Sequence, residues 1–489
     1  MESVTIGLNV SKIGSYAFAR CTSITSIDIP RNVEDIGTHT FEDCTCLSSV
    51  SIADGVTAIG ERTFAGCSSL ETVEIGAKVK TIGTQAFSGC AKLPLISFGE
   101  EVANIEEFAF SGCKLLKSAY LNSKMESIGR GAFRECENLS SVHISDIKSF
   151  CGIVFEDYYT QPPFYMPHAI FYDKEEITDL VIPEGVANIG NYAFMNCTGI
   201  SSVKISNDVT VIGNNSFRNC TNLSSVEMGD GVVSIGNYAF SGCNQMSNLA
   251  IGTNVQSIGQ LAFWECRTLT SLTIPENTVN IGIQAFSDCS GLIDVTIGNG
   301  VKKIGRSAFW NCTEMKSLDL GNNVEEIGPN AFSGCTSLLD VKIPHSVVNI
   351  EYNTFSSCGN LKTVSIGKGI KSIGELAFGW CPEITDVYCY AKEVPITYAD
   401  AFDNSYIEYA TLHVAESSVG RYSAEIPWRN FKNIIGDLDD ADSPTSIKRS
   451  TYNYQKVQAF NLQGKEIPSS SLSTSKGIYI FNGMKYIAK

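Results

Sequence analysis

Phenylalanine returns at a fixed interval along most of this 489-residue chain, and that interval constrains the fold more than any other feature. It stands at Phe18, Phe41, Phe64, Phe87, Phe110 and Phe133, then resumes from Phe194 and Phe217 onward to Phe378, always 23 residues apart within a block. A cysteine follows three residues behind each ring, from Cys21 to Cys136 and from Cys197 to Cys381. The unit reads V-x-x-I-G-x-x-A-F-x-x-C-x-x-L-x-x-V-x-I, and one copy is Val232, Ile235-Gly236, Ala239-Phe240, Cys243, Met246, Leu249 and Ile251. A single coil of this length cannot bury its apolar face, so successive coils must stack to complete a core.

Each part of the unit carries its own local expectation. L-x-x-V-x-I alternates, so Val and Ile point inward and the residue between them outward, as in a strand. Strands of successive coils then pair in parallel, about 4.8 Å apart. The Ile-Gly step predicts a tight turn in which glycine supplies positive φ. A-F-x-x-C has the spacing of a short helical turn with Phe and Cys on one side. The fold expected is an α/β repeat: a right-handed solenoid of 23-residue coils, with a parallel sheet on one face and an irregular or helical opposite face.

The I-G-x-x-A-F-x-x-C core resembles the BspA-like leucine-rich repeat of surface proteins from anaerobic commensal bacteria and some mucosal protozoa. The likeness covers about residues 4–436. It implies adhesion or ligand binding at a host or microbial surface, with no catalytic residues to carry over.

The chain contains 18 cysteines, but fifteen of them occupy the repeat column, which reads as a ladder of small buried hydrophobes. Metal or redox chemistry needs ligands converging on a point, and these run in a line. Cys46, Cys151 and Cys389 lie off the column, and Cys381 with Cys389 is a weak disulfide candidate. A net charge of −16 argues against nucleic acid and against anionic lipid. No apolar run is long enough for a membrane-spanning helix. Met1 to Ile6 carry no signal-peptide pattern and enter at once on the repeat, as expected of a trimmed precursor.

The repeat is broken where 61 residues separate Cys136 from Cys197. Residues 146–176 form an aromatic insertion there, read in two ways. It is a binding loop on one face, or it packs a distorted rung with Ala169–Tyr172 continuing the sheet. The array is assigned to 1–386. Residues 387–436 read as a closing cap, with Thr411–Val414 as last strand and Tyr422, Trp428, Phe431 and Ile434 sealing it. Residues 437–452 read as a polar linker, and 453–489 as a small β-domain with strands at Val457–Leu462, Gly477–Phe481 and Met484–Ala488. This last segment resembles the sorting domain of the type IX secretion pathway, which implies surface display or release; the other reading is a β-domain with no address function.

No phosphate loop, nucleophile elbow or metal signature occurs, and no cofactor is expected. Asp294, Asp319 and Asp340 on exposed strand positions are read as a solvated face beside Lys342. Most outward residues are small or polar. Tyr120 and His143, beside the insertion, are the first candidates for ligand binding, together with exposed members of Tyr158, Tyr159, Phe164 and Tyr165. Trp264 and Trp310, two coils apart, form a second candidate for stacking on sugars. The expected role is an adhesin-like, non-enzymatic cell-surface or secreted protein contacting host extracellular protein, glycan or another microbe. The alternatives are a structural spacer or self-associating surface protein and, remotely, a hydrolase using the insertion.

Overall fold

The computed structural model describes residues 4–156, 164 and 166–439, and the backbone of short strands in the tail between 459 and 488. Residues up to Asp440 form one compact unit and Ala441–Lys489 a second. The first is a parallel β-solenoid. Each regular coil contributes a longer strand, such as Ser202–Ile205, and a two-residue strand, such as Val211–Ile212. Both kinds pair in parallel with the next coil at an offset of one repeat, Val203 with Val226 and Ile212 with Ile235. The shorter strands of ten coils, from Asn188–Ile189 to Ile396–Thr397, form one continuous ladder. In the longer strands Val and Ile are buried and the residues beside them exposed, as at Ser271–Ile274.

The interior is a set of columns, one residue per coil. Phenylalanine rings stack from Phe18 to Phe133 and again from Phe194 to Phe402, with centroids 5.0–5.5 Å apart and planes within 13°. Offset parallel rings at this spacing add about 0.5–1.5 kcal/mol per pair beyond area burial.

Two local expectations are corrected by the backbone. The A-F-x-x-C segment is not helical. Tyr238, Phe240 and Gly242 donate their N–H groups to the carbonyls of Gln260, Ala262 and Trp264 in the next coil, at 2.7–2.8 Å. The intervening Ala239, Ser241 and Cys243 close tight turns within their own coil. This alternation requires left-handed residues two before and two after each Phe, here Tyr238 (φ 56°) and Gly242 (φ 76°). Sending every second donor out of the coil satisfies the polar backbone without helix. Among the described residues the only α-helices are the short Ile147–Cys151 and Val419–Tyr422.

The glycine of Ile-Gly has another reason as well. None of these glycines has positive φ; a Cβ on Gly259 would lie 2.5 Å from the Gly236 carbonyl carbon, and one on Gly282 2.5 Å from that of Gly259. At these two positions glycine is required because consecutive coils touch there, whereas Gly60 has room for a Cβ and the coils at Glu106 and Glu351 carry one.

The insertion builds an enlarged coil. Asp146 caps the helix Ile147–Cys151 by accepting from the Ser149 N–H at 2.6 Å. Val154–Phe155 extends the short ladder beside Ser127–Ile128, and Ala169–Tyr172 extends the long sheet beside Ser141–Ile144. The chain then reverses through Asp173 and Lys174 into Glu175–Glu176. At the other end the last strand is Asn433–Leu438, paired in parallel with Thr411–Ala415, rather than Thr411–Val414 as expected from the sequence. Trp428 and Phe431 meet Phe402 edge-on at 5.7 and 5.6 Å, closing the ring column. The Trp428 Nε1–H donates to Thr397 Oγ1 at 3.1 Å.

In the second unit Gly477–Phe481 and Met484–Ala488 pair antiparallel, and Ala459–Phe460 lies between Glu466–Ile467 and Gly477–Phe481. Of the linker expected over 437–452, residues 440–452 lie outside the described residues, and the final strand runs into its first two positions.

The glycine contacts make a direct prediction. Gly282→Ala should cost about 1–3 kcal/mol through overpacking against backbone, read as a lower melting temperature. Gly420→Ala, where nothing lies within 4 Å, should not. Equal melting temperatures for the two variants would contradict the close-approach explanation.

Candidate functional site

The outward column of the long sheet is where side chains are free of packing duties. At most coils it carries small or charged residues, but at the insertion three rings meet. Pairing places Tyr120 opposite His143, and His143 opposite Phe171. The rings stack face to face, 4.1 Å and 10° for the first pair, 4.7 Å and 22° for the second. Tyr120 is 39% exposed, and Tyr172 beyond the ladder is also exposed. His143 sits partly desolvated between two apolar rings, which lowers its pKa and keeps the imidazole neutral near pH 7. Glu175 and Glu176 form an acidic border. The sequence singled out Tyr120 and His143 but missed Phe171. Its signal was present, since aligning Ala169–Tyr172 on Ser141–Ile144 puts Phe171 in that column.

Phe164 is corrected: it is not available to a ligand. It is 5% exposed and stacks on Phe133 at 5.0 Å, taking the place of the column phenylalanine in the enlarged coil. Tyr158, Tyr159 and Tyr165 lie outside the described residues. Trp264 is half-buried, and its indole N–H donates to Asp288 Oδ2 at 3.0 Å. Asp288 also accepts from Asn311 and Ser287, so Trp264 is tied into a network, while Trp310 is 41% exposed. Asp294 and Asp319 fall in different columns, opposite Ser317 and Thr296 respectively, and do not converge.

A second tyrosine–histidine stack lies near the far end of the sheet, one strand in from Asn433–Leu438. Tyr388 and His413 lie 4.2 Å apart at 10°, with His413 Nδ1 2.9 Å from Asp437 and Nε2 3.2 Å from Asp386. Nothing in the spacing pointed to Asp437, which belongs to the unforeseen final strand.

The column thiols have a structural use. Thirteen of the fifteen, all but Cys21 and Cys197, donate to the carbonyl of the Phe 26 residues earlier, at 3.1–3.5 Å, from Cys44 to Phe18 through Cys381 to Phe355. Burial pushes Cys220 and Cys335 up to about 12, so these groups stay neutral and unreactive. Cys381 and Cys389 are free thiols. In the enlarged coil His168 stands where the cysteine would: its Nδ1–H donates to the Met166 carbonyl at 2.9 Å, leaving Nε2 to face Cys197 Sγ at 3.4 Å. Nucleophile and base types thus meet, but burial lowers His168 and raises Cys197, so both are held neutral inside the core.

Two predictions follow from these groups. In the native protein at pH 8, a thiol reagent should modify exposed Cys46 quickly and half-buried Cys21 slowly, with all 18 reacting only after denaturation; rapid modification of many thiols in the folded chain would contradict this. Because the folded pKa of His168 is lowered, its contribution to stability is intact above the unfolded value of about 6.5 and is lost as pH falls below it. The melting temperature of His168→Leu should therefore drop less between pH 7 and pH 5 than that of the parent, and parallel pH profiles would refute the assignment.

Coils stacked at one repeat spacing, with a buried ring column and a variable outward sheet face, define the class of leucine-rich-repeat solenoids. The BspA-type leucine-rich repeat region matches residues 1–79, 34–160, 165–293, 256–385 and 302–423, and the chain belongs to that family. No curated protein matches it. Among solved structures, a leucine-rich repeat protein from Bacteroides ovatus is 24% identical, with 83% of this chain and 88% of that chain covered and a TM-score of 0.50. A leucine-rich cell surface protein from Faecalibacterium prausnitzii is 24% identical over 80% of this chain and 86% of its own, with a TM-score of 0.37. The pneumococcal vaccine antigen PcpA is 17% identical over 88% and 79%, with a TM-score of 0.35. Among the described residues no helix is long and apolar enough to cross a membrane, and no three His, Cys, Asp or Glu side chains group as a metal site.

Proposed function

We propose that this protein is a cell-surface or secreted binding protein, adhesin-like, that recognises a host extracellular protein or glycan, or another microbe, through the outward face of its long sheet beside the insertion. The observation that carries this reading is the outward-facing Tyr120–His143–Phe171 ladder, exposed at Tyr120 and half-buried at the other two rings. Stacked rings are rigid and large in area, and aromatic anchors dominate the energetics of protein contacts. The insertion extends the ladder sideways by adding a paired strand that carries Phe171, so a binding surface is built on rigid elements rather than on a loop. Family membership favours a scaffold for recognition over an enzyme, and the sealed His168–Cys197 pair offers a hydrolase no entry for substrate. Surface display fits the resemblance of residues 453–489 to a type IX sorting domain.

The test is binding of the purified chain to an array of mucin glycans, plasma proteins and matrix proteins. Tyr120→Ala with His143→Ala should weaken a hit by about 2 kcal/mol, roughly thirtyfold, as loss of an interface anchor does, with an unchanged circular dichroism spectrum. A hit of unchanged affinity would remove the ladder from the reading, and silence across the array would favour the spacer.

A further inference from the structure

We infer that the first subsite of this face is a slot for an arginine side chain of the partner. The inference rests on the recognition role of the ladder and adds the chemistry it selects. His143 covers one face of the Tyr120 ring. The other face looks along the sheet toward Ser97, its register partner in the preceding coil. Ser97 is exposed and too short to cover a phenol ring, so the ladder stops there with an open ring face. Leu95, two residues earlier on the same strand and the same side, is 50% exposed and floors the space with hydrocarbon.

The far wall is Glu74, exposed in the coil before and two coil spacings, about 10 Å, from Tyr120. Its carboxylate accepts from Ser51 Oγ at 3.2 Å in the coil farther from Tyr120, and turns back toward the slot when a bound cation replaces that hydrogen bond. The slot thus has one aromatic wall, a short polar and apolar floor and one carboxylate wall. A guanidinium fits all three: it is flat enough to lie on the Tyr120 face, its stem can rest on Leu95, and Glu74 balances its charge. A lysine ammonium gains the charge contact but has no face to stack. The net charge of −16 adds a long-range attraction for a cationic partner.

The second tyrosine–histidine stack shows that the acid is not a general property of the column. Tyr388 on His413 likewise faces a serine, Ser365, in the preceding coil. The coil before that carries Lys342 at the position equivalent to Glu74. The same ring, serine and spacing recur with the charge reversed, so that slot repels the group the first attracts.

The experiment is isothermal titration calorimetry of the full chain with blocked tetra-arginine, tetra-lysine and a tetrapeptide of phenylalanine and glycine. The parent should bind tetra-arginine about two- to fivefold more tightly than tetra-lysine, the difference a stacked cation makes at an exposed ring. Glu74→Gln should weaken the arginine peptide, and Ser97→Tyr, which extends the ladder and fills the slot, should bring it to the lysine level. Ser365→Tyr should change nothing. Equal affinity for arginine and lysine, indifference to Ser97→Tyr, or tightest binding of the phenylalanine peptide would each overturn the slot. None of these results would touch the ladder itself, which is judged by Tyr120→Ala and His143→Ala against whole proteins and glycans.

Discussion

The distance between coils governs this molecule. Parallel strand pairing fixes it near 4.8 Å, and every other column must work at that spacing. Phenylalanine does so by tilting its rings into an offset stack with centroids 5.0–5.5 Å apart. Glycine is imposed where two coils approach more closely than a Cβ permits. The thiols span it by reaching back to a carbonyl in the previous coil, a contact for which serine would be more polar and alanine too short. The backbone between glycine and cysteine is bent into left-handed turns so that alternate donors can cross the gap.

A spacing rule of this kind needs both interruptions and ends to be resolved. The insertion keeps the rule while changing the coil, supplying Phe164 to the ring column, Ala169–Tyr172 to the long sheet and His168 in place of a cysteine. The cap ends it, turning Trp428 and Phe431 edge-on to Phe402 so that no further ring can stack. What the rule leaves free is the outward column. Function is then a matter of which side chains stand there, and neighbours in that column touch because the spacing brings them together. The Tyr120–His143–Phe171 ladder is a product of the same geometry that orders the core.

Much of this was legible in the chain. The period, the buried columns, the outward column with Tyr120 and His143, and the sealing roles of Tyr422, Trp428 and Phe431 are read from spacing and residue type, because packing in a solenoid is nearly one-dimensional. The turn backbone was not legible, since a four-residue Ala-Phe-x-x-Cys spacing fits a helical turn and a left-handed zigzag equally well. The glycine was assigned the wrong cause for the same reason: sequence shows that a Cβ is excluded, not whether φ or a neighbouring coil excludes it. Phe171 could have been placed outward by aligning Ala169–Tyr172 on Ser141–Ile144, but Phe164 lies in a stretch with no repeat register of its own, so its inward turn onto Phe133 is displayed only by the structure. The partners of His413 were hidden in the same way, because Asp437 lies beyond the residues that carry the repeat.

The central claim is that the insertion is a rung of the solenoid and presents the ladder from a paired strand. Native-state hydrogen exchange tests it most directly. If the claim holds, amides of 169–172 are protected to the same degree as those of 118–121 and 141–144, and the three strands open together. Exchange of 169–172 at the rate of an unfolded segment, with the other two strands protected, would contradict it.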